Sequence, residues 1–172
     1  MSDRGFDCIE ASAPGSIMVT GEHAVVYGHK AIVCAIDQRL RVKLTPMDER
    51  RISIRSEIAP AIECDLDDFE IGGPLRFVLA TVATFRDDLQ HGLSIEISSE
   101  IDPTMGLGSS SAVTIAMLAA LGRITHQSCE PLKVHATALQ IVRQLQGRGS
   151  GADLAASVFG GMISYEAPAD EQ

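Results

Sequence analysis

The chain has 172 residues, 45% hydrophobic and 22% charged, a balance that suits a globular domain with a sizeable core. Its 14 Lys and Arg against 23 Asp and Glu leave a net charge of −9, which argues against a nucleic-acid partner. No apolar run approaches the ~18 residues that cross a membrane, and residues 1–7 lack the shape of a signal peptide, so a cytoplasmic protein without a membrane partner is expected.

Residues 6–13 and 16–20 read as strands, and residues 31–35 with 40–44 as a further pair. Arg41-Val42-Lys43-Leu44 alternates with the period of two of a half-exposed strand, as does Arg51-Ile52-Ser53-Ile54-Arg55. Residues 65–73 are acidic and end in glycine, hence loop. Leu75, Val78, Leu79, Val82 and Phe85 recur at helical spacing over 75–89, and residues 93–99 alternate again as a strand. From residue 109 the pattern turns helical, over 109–126 and then 131–146 with Pro131 at the first position. A short helix over 151–159 ends at Gly160-Gly161, and residues 162–166 close as a strand. Strands first and helices later predict an α+β fold with helices packed on one face of the sheet. The cysteines at 8, 34, 64 and 129 form no Cys-x-x-Cys pair, and are expected as buried small hydrophobes rather than metal ligands or disulfides.

The segment Met105-Gly106-Leu107-Gly108-Ser109-Ser110-Ser111-Ala112 carries the strongest chemical signal. Glycines let a backbone approach a ligand closely, and the first turn of the following helix offers free N–H groups and a positive dipole end. Serine hydroxyls add donors and a ligand for Mg²⁺. This pattern suits a phosphate, though not in the Walker manner, because no Gly-Lys-Ser/Thr follows. A plain helix cap is the bland alternative, and it accounts for one of the serines.

Two further segments accompany it: Ala13-Pro14-Gly15-Ser16-Ile17-Met18-Val19-Thr20-Gly21-Glu22-His23-Ala24-Val25-Val26-Tyr27-Gly28, and Gly147-Arg148-Gly149-Ser150-Gly151-Ala152-Asp153 running on to Gly161. In this order the three resemble signature motifs of the GHMP small-molecule kinases, over about residues 11–165. Residues 21–28 look most like the mevalonate kinase group. The resemblance implies a mixed sheet with helices on one face, the fold of the ribosomal-S5-like N-terminal domain of these kinases. It implies that residues 1–172 form that domain, with a polar tail over 167–172, and that the family's C-terminal domain is not in this sequence.

The resemblance also implies ATP and Mg²⁺ as cofactors and a small alcohol, mevalonate or a similar carboxylated one, as the phosphate acceptor. Gly106, Leu107, Gly108, Ser109, Ser110 and Ser111 would then cradle the phosphates, with Ser110 also a metal ligand. Asp153 would orient or deprotonate the acceptor hydroxyl, although a carboxylate in a first helical turn also suits the helix dipole. Glu22, His23, Ser150 and Gly151 would bind the acceptor. Arg148 reads equally as a carboxylate clamp and as a solvated surface residue.

Three departures from the family pattern stand out. Ser16, a candidate catalytic position, replaces the lysine that usually follows Ala-Pro-Gly. No carboxylate lies between Pro131 and Ala152, where the family has a metal-binding glutamate. Asp102 and Thr104 replace the Pro and Gly that usually open the phosphate loop. Several readings therefore remain: a mevalonate kinase-like enzyme, a phosphomevalonate kinase or another member of the family, or a catalytically weak nucleotide- or metabolite-binding module. As partners, a homodimer and a separate C-terminal kinase half are both open. An S5-like RNA-binding role fails on the net charge.

Overall fold

The computed structural model describes residues 8–57 and 59–167. The expected strand start at residues 6–7, and the tail beyond residue 167, lie outside the described residues. The elements are β1 (Ile9–Thr20), a 3-10 turn (Ala24–Tyr27), β2 (Lys30–Met47), β3 (Arg51–Ser56), β4 (Ala59–Asp65), α1 (Arg76–Phe85) with a trailing 3-10 turn (Arg86–Asp88), β5 (Gly92–Ser99), α2 (Ser109–Ile124), α3 (Pro131–Gln146), α4 (Ala152–Phe159) and β6 (Met162–Glu166). The sheet runs β1-β2-β5-β3-β4, with β6 also paired to β2. Only β3 and β5 are parallel, so the sheet is mixed, as expected.

Four expectations need correction. The two strands expected on either side of Pro14-Gly15 are one, β1 over Ile9–Thr20, because a register shift between Pro14 and Ser16 absorbs the proline without ending the pairing. Residues 31–35 and 40–44 are likewise one strand, β2, whose two ends serve different neighbours. Residues 30–34 pair with β6 and residues 40–47 with β5, while β1 runs alongside both. Strand β4 was not anticipated: it is a sheet edge with no fully buried side chain, so it carries no alternating apolar signature, and Asp65, expected in a loop, ends it opposite Arg51. The cysteines are not buried: Cys8 and Cys129 are exposed and Cys34 and Cys64 half-buried, all with free thiols. Cys64 sits on that edge strand, and Cys129 lies in the connection after α2.

Alternation builds the core. Val42, Leu44, Ile52, Ile54, Leu93, Ile95 and Ile97 of the sheet form one buried cluster with Val78, Val82 and Phe85 of α1 and Ala112, Ile115, Ala116, Met117 and Leu121 of α2. Full burial of each large aliphatic side chain contributes about 1.5–3 kcal/mol. A smaller cluster of Val33, Ala152 and Ala156, with Met18, Ile163 and Tyr165 around it, docks α4 against β1, β2 and β6. The helices cover one face of the sheet, and the other is polar. There a shallow groove of about 690 Å³, lined by Glu10, Arg41, Lys43, Arg55 and Glu96 among others, crosses four strands. Its charges alternate in sign from strand to strand and pair as Lys43–Glu96 and Arg41–Glu100, which marks a solvated face. Among the described residues no helix is long and apolar enough to cross a membrane.

Candidate active site

The Gly-Ser segment crosses the open edge of β1. The Ser16 amide donates to the Leu107 carbonyl at 3.0 Å, so the loop extends the ladder at the point where the strand shifts register. The fit leaves no room for extra atoms. A Cβ on Gly15 would stand 2.6 Å from the Leu107 oxygen, and one on Gly108 would overlap the Ser16 hydroxyl. Gly108 has φ +71°, a conformation that disfavours other residues, and it caps α2.

Helix α2 starts at Ser109, and its first hydrogen bond runs from the Ala112 amide to the Gly108 carbonyl at 2.9 Å. The amides of Ser109, Ser110 and Ser111 precede that bond and have no helical acceptor. The cap position belongs to Gly108, which has no side chain, so none of the three serines is the helix cap. Ser109 and Ser110 are half-buried and Ser111 is buried. Asp102 does not reach toward this site: its Oδ1 accepts from the Thr104 amide at 2.8 Å and from the Thr104 hydroxyl at 2.6 Å, a local turn. Those two bonds hold its carboxyl below the usual carboxylate range.

Asp153 lies in the first turn of α4, which Gly151 opens. Its Oδ1 accepts a 2.9 Å hydrogen bond from the hydroxyl of Ser16, which is 1% exposed. One serine thus touches the loop with its backbone and the carboxylate with its side chain. Pro14 is tied to the same helix, because the Ser157 hydroxyl donates to its carbonyl at 2.9 Å.

Three side chains that sequence reasoning missed hold the turn before Asp153. Arg143 Nε donates to the Gly149 carbonyl at 3.2 Å, and the Tyr165 hydroxyl to the Ser150 carbonyl at 2.7 Å. His135 Nε2 lies 3.1 Å from the Gly151 carbonyl and donates to it in the Nε2-protonated tautomer. The His135 and Tyr165 rings are 5.7 Å apart. Burial pushes the Tyr165 phenol above its ordinary pKa, which keeps it a donor. The one sequence signal was the spacing of His135, Leu139, Val142 and Arg143 on a single face of α3.

The structure thus gathers Gly106, Leu107, Gly108, Ser109, Ser110, Ser16, Ser150, Gly151 and Asp153 into one neighbourhood. Glu22 and His23 are not drawn in. Both are exposed beyond the end of β1, about 13 Å of strand from Ser16 to Thr20, and no hydrogen bond among the described residues joins them to the other site residues. Arg148 is exposed too.

Residues 76–161, half of the chain, match the family model described as the GHMP kinases N terminal domain. The chain is 41% identical to the mevalonate kinase of Archaeoglobus fulgidus over 153 residues, 88% of this chain and 50% of that protein. It is 34% identical to the mevalonate kinase of Methanothermobacter thermautotrophicus over 154 residues, 89% of this chain and 48% of that one. The crystal structure of Methanococcus jannaschii mevalonate kinase shares the fold, with a TM-score of 0.82 at 23% identity over 96% of this chain and 55% of that one. The chain spans about half the length of the curated relatives it matches. With half of the chain matched by the family model and relatives 34–41% identical over nearly nine tenths of it, the glycine-serine loop and the first-turn aspartate have their setting: the chain belongs to the GHMP kinase family.

Proposed function

We propose that this chain is the N-terminal, nucleotide-binding part of an ATP-dependent small-molecule kinase, acting in the cytoplasm on the hydroxyl of mevalonate or a similar carboxylated alcohol. The observation that carries this reading is the Ser16–Asp153 hydrogen bond beside the Gly106–Ser110 loop. It sets a carboxylate next to a row of helix-start amides, the pair of elements that phosphoryl transfer to an alcohol requires. The mevalonate kinases to which the chain is similar support the acceptor class.

Each residue then has a task. The amides of Ser109 to Ser111 hold the nucleotide phosphates. Ser16 fixes Oδ1 of Asp153, which leaves Oδ2 to orient the acceptor hydroxyl and draw its proton. Ser150 and Gly151, their carbonyls held from behind, line the acceptor side. The donor set fits Mg²⁺ in a limited way, with the Ser110 hydroxyl and the Asp153 carboxylate as the ligands this chain offers, because Mg²⁺ takes most of its shell from phosphates and water. When bound, the ion would neutralise charge on the transferring phosphate.

A second polypeptide segment belongs to the working site in this reading. The chain matches half of its relatives' length. Among the described residues, seven of the nine exposed large hydrophobics (Ile17, Val19, Val26, Tyr27, Met105, Phe159 and Met162) fall within the three motif segments or directly beside them. Exposed apolar side chains concentrated in and beside the motif segments mark a surface that a partner or further domain covers. A C-terminal kinase half is the occupant this favours over a second copy of the chain.

The test is ADP release with Mg²⁺-ATP and mevalonate, for the native chain and for Asp153→Ala. Acceptor-dependent release that the substitution abolishes is the expected result for a chain that assembles the site. Nucleotide binding without turnover assigns the chain to a two-part kinase, and no nucleotide binding at all refutes the reading.

A further inference from the structure

The turn that delivers Asp153 is gripped from behind by three donors on three successive carbonyls. Arg143 Nε holds Gly149, the Tyr165 hydroxyl holds Ser150, and His135 Nε2, in its protonated tautomer, holds Gly151. In a trans peptide the next N–H points opposite to the carbonyl, so these bonds fix three consecutive peptide planes. The approach is close as well as directional. A Cβ on Gly151 would stand 2.8 Å from the Tyr165 hydroxyl oxygen and 3.3 Å from His135 Nε2.

Asp153 is the second residue of α4, the helix that these planes launch. With eight residues, α4 falls short of the ~12–15 that an isolated helix needs in water, so its direction must come from its neighbours. Against the sheet it presents Ala152 and Ala156 to Val33, and alanines have no rotamers with which to interlock. Direction is therefore left to contacts at the helix ends, and His135 reaches both. Its Nε2 lies on the Gly151 carbonyl, which also accepts the first helical bond from the Ala155 amide at 2.9 Å. Its ring centroid is 6.4 Å from that of Phe159, the last residue of α4. The 2.9 Å bond between Ser16 and Asp153 forms only while α4 keeps this direction.

We propose that His135, with Tyr165 beside it, is a positioning residue: by holding the carbonyls of Gly151 and Ser150 it aims α4 and so brings the Asp153 carboxylate onto Ser16. Misplacing a reacting group by about 1 Å can cost about 100-fold in rate, so the grip serves the chemistry of Asp153 as well as the stability of the turn. The proposal rests on the reading of Asp153 as the carboxylate that handles the acceptor hydroxyl.

A double-mutant cycle on the intact 172-residue chain, read as urea midpoints, tests it. Among the described residues Ser16 and His135 share no hydrogen bond or ring contact, so their substitutions add if each only stabilises its own surroundings. His135→Phe keeps a ring beside Phe159 and Tyr165 and removes the donor. In that background Ser16→Ala is expected to shift the midpoint by less than half of its shift in the native chain. In His135→Gln, whose amide restores a donor, the full shift is expected to return. In NMR spectra the carboxyl carbon of Asp153 is expected to move in His135→Phe in the same direction as in Ser16→Ala, and to stay near its native position in His135→Gln. Should His135→Phe fail to fold, Tyr165→Phe replaces it in the cycle with the same expectation, because it removes the donor to Ser150. Additive midpoints, an unmoved Asp153 carbon, or a His135→Gln chain that behaves like His135→Phe each overturn the proposal. Neither readout uses nucleotide, so a chain that binds no ATP refutes the kinase reading without altering the result of the cycle.

Discussion

The hydroxyl of Ser16 and the carboxylate of Asp153 meet at 2.9 Å across 137 residues of sequence. Ser16 is buried and its amide is bonded to Leu107, so the contact ties Asp153 to the loop as well as to β1. A serine supplies direction without charge. Removing the donor leaves Asp153 half-buried and without that partner. Ser16→Ala is therefore expected to lower stability by about 1.5 kcal/mol, the lower end for a bond to a charged group, with a Tm lower by about 3–6 °C in thermal denaturation. An unchanged Tm would show that the hydroxyl is satisfied equally well by solvent.

Gly106 and Gly108, two residues apart, separate two effects. Both have positive φ, +67° and +71°, so alanine at either pays about 1–2 kcal/mol for its conformation. Gly106 has open space around it, while a Cβ on Gly108 runs into Ser16. Gly108→Ala is expected to unfold at a lower denaturant concentration than Gly106→Ala, and to weaken ATP binding more. Equal midpoints would contradict the close approach of loop and strand.

The Tyr165 phenol gives the chain an alkaline sensitivity. Its pKa is raised in the folded state, chiefly by burial, so the folded form holds the proton more tightly than the unfolded one. The resulting stability is complete below the unfolded value of about 10 and is lost as pH climbs through the higher folded value. Tyr165→Phe is expected to flatten that alkaline decline in urea melts from pH 8 upward. It also removes the donor to Ser150, so the variant starts less stable at pH 8 by about 1 kcal/mol. A decline as steep as in the native chain would place its cause elsewhere.

The outer sheet face is expected to tolerate change. Arg41 and Glu100 are both half exposed, and the stability that such pairs contribute is small because solvent screens them. Arg41→Ala is expected to shift the urea midpoint only slightly, and less in 1 M salt than in 0.1 M, because screening weakens the native pair. A large, salt-independent loss would mean that the arginine's aliphatic stem packs against the sheet.

Periodicity made most of the fold legible. Helix α3 lies over the residues its pattern marks, and β3, β5 and β6 agree to within a residue. The failures share one cause. Pro14-Gly15 and the polar stretch Asp37-Gln38-Arg39 carry local signals for a break, yet the chain stays extended because neighbouring strands pair with it on both sides of each interruption. Strand β4 shows the converse, where an edge position lets half-exposed residues form a ladder without an apolar pattern. At the site, glycines and serines exposed the loop, since their backbone chemistry is local. Of the support behind the turn, His135 and Arg143 were marked only by their shared face of α3, and Tyr165 was hidden because its contact depends on β6 returning to the turn, which no neighbouring residue encodes.

The length of β2 has a consequence for how the molecule opens. Its first half hydrogen-bonds both to β1, which bears Ser16, and to β6, which follows Asp153, and its second half runs unbroken into the middle of the core sheet. The two ends of the candidate site are therefore laced to one rod, and the rod is anchored where the protein is most resistant to unfolding. The amides of Ile32 to Cys34 lie outside the main core yet are expected to exchange with deuterium nearly as slowly as those of Val42 to Leu44. The site's framework should melt with the whole sheet, leaving only the glycine-serine loop free to breathe on its own.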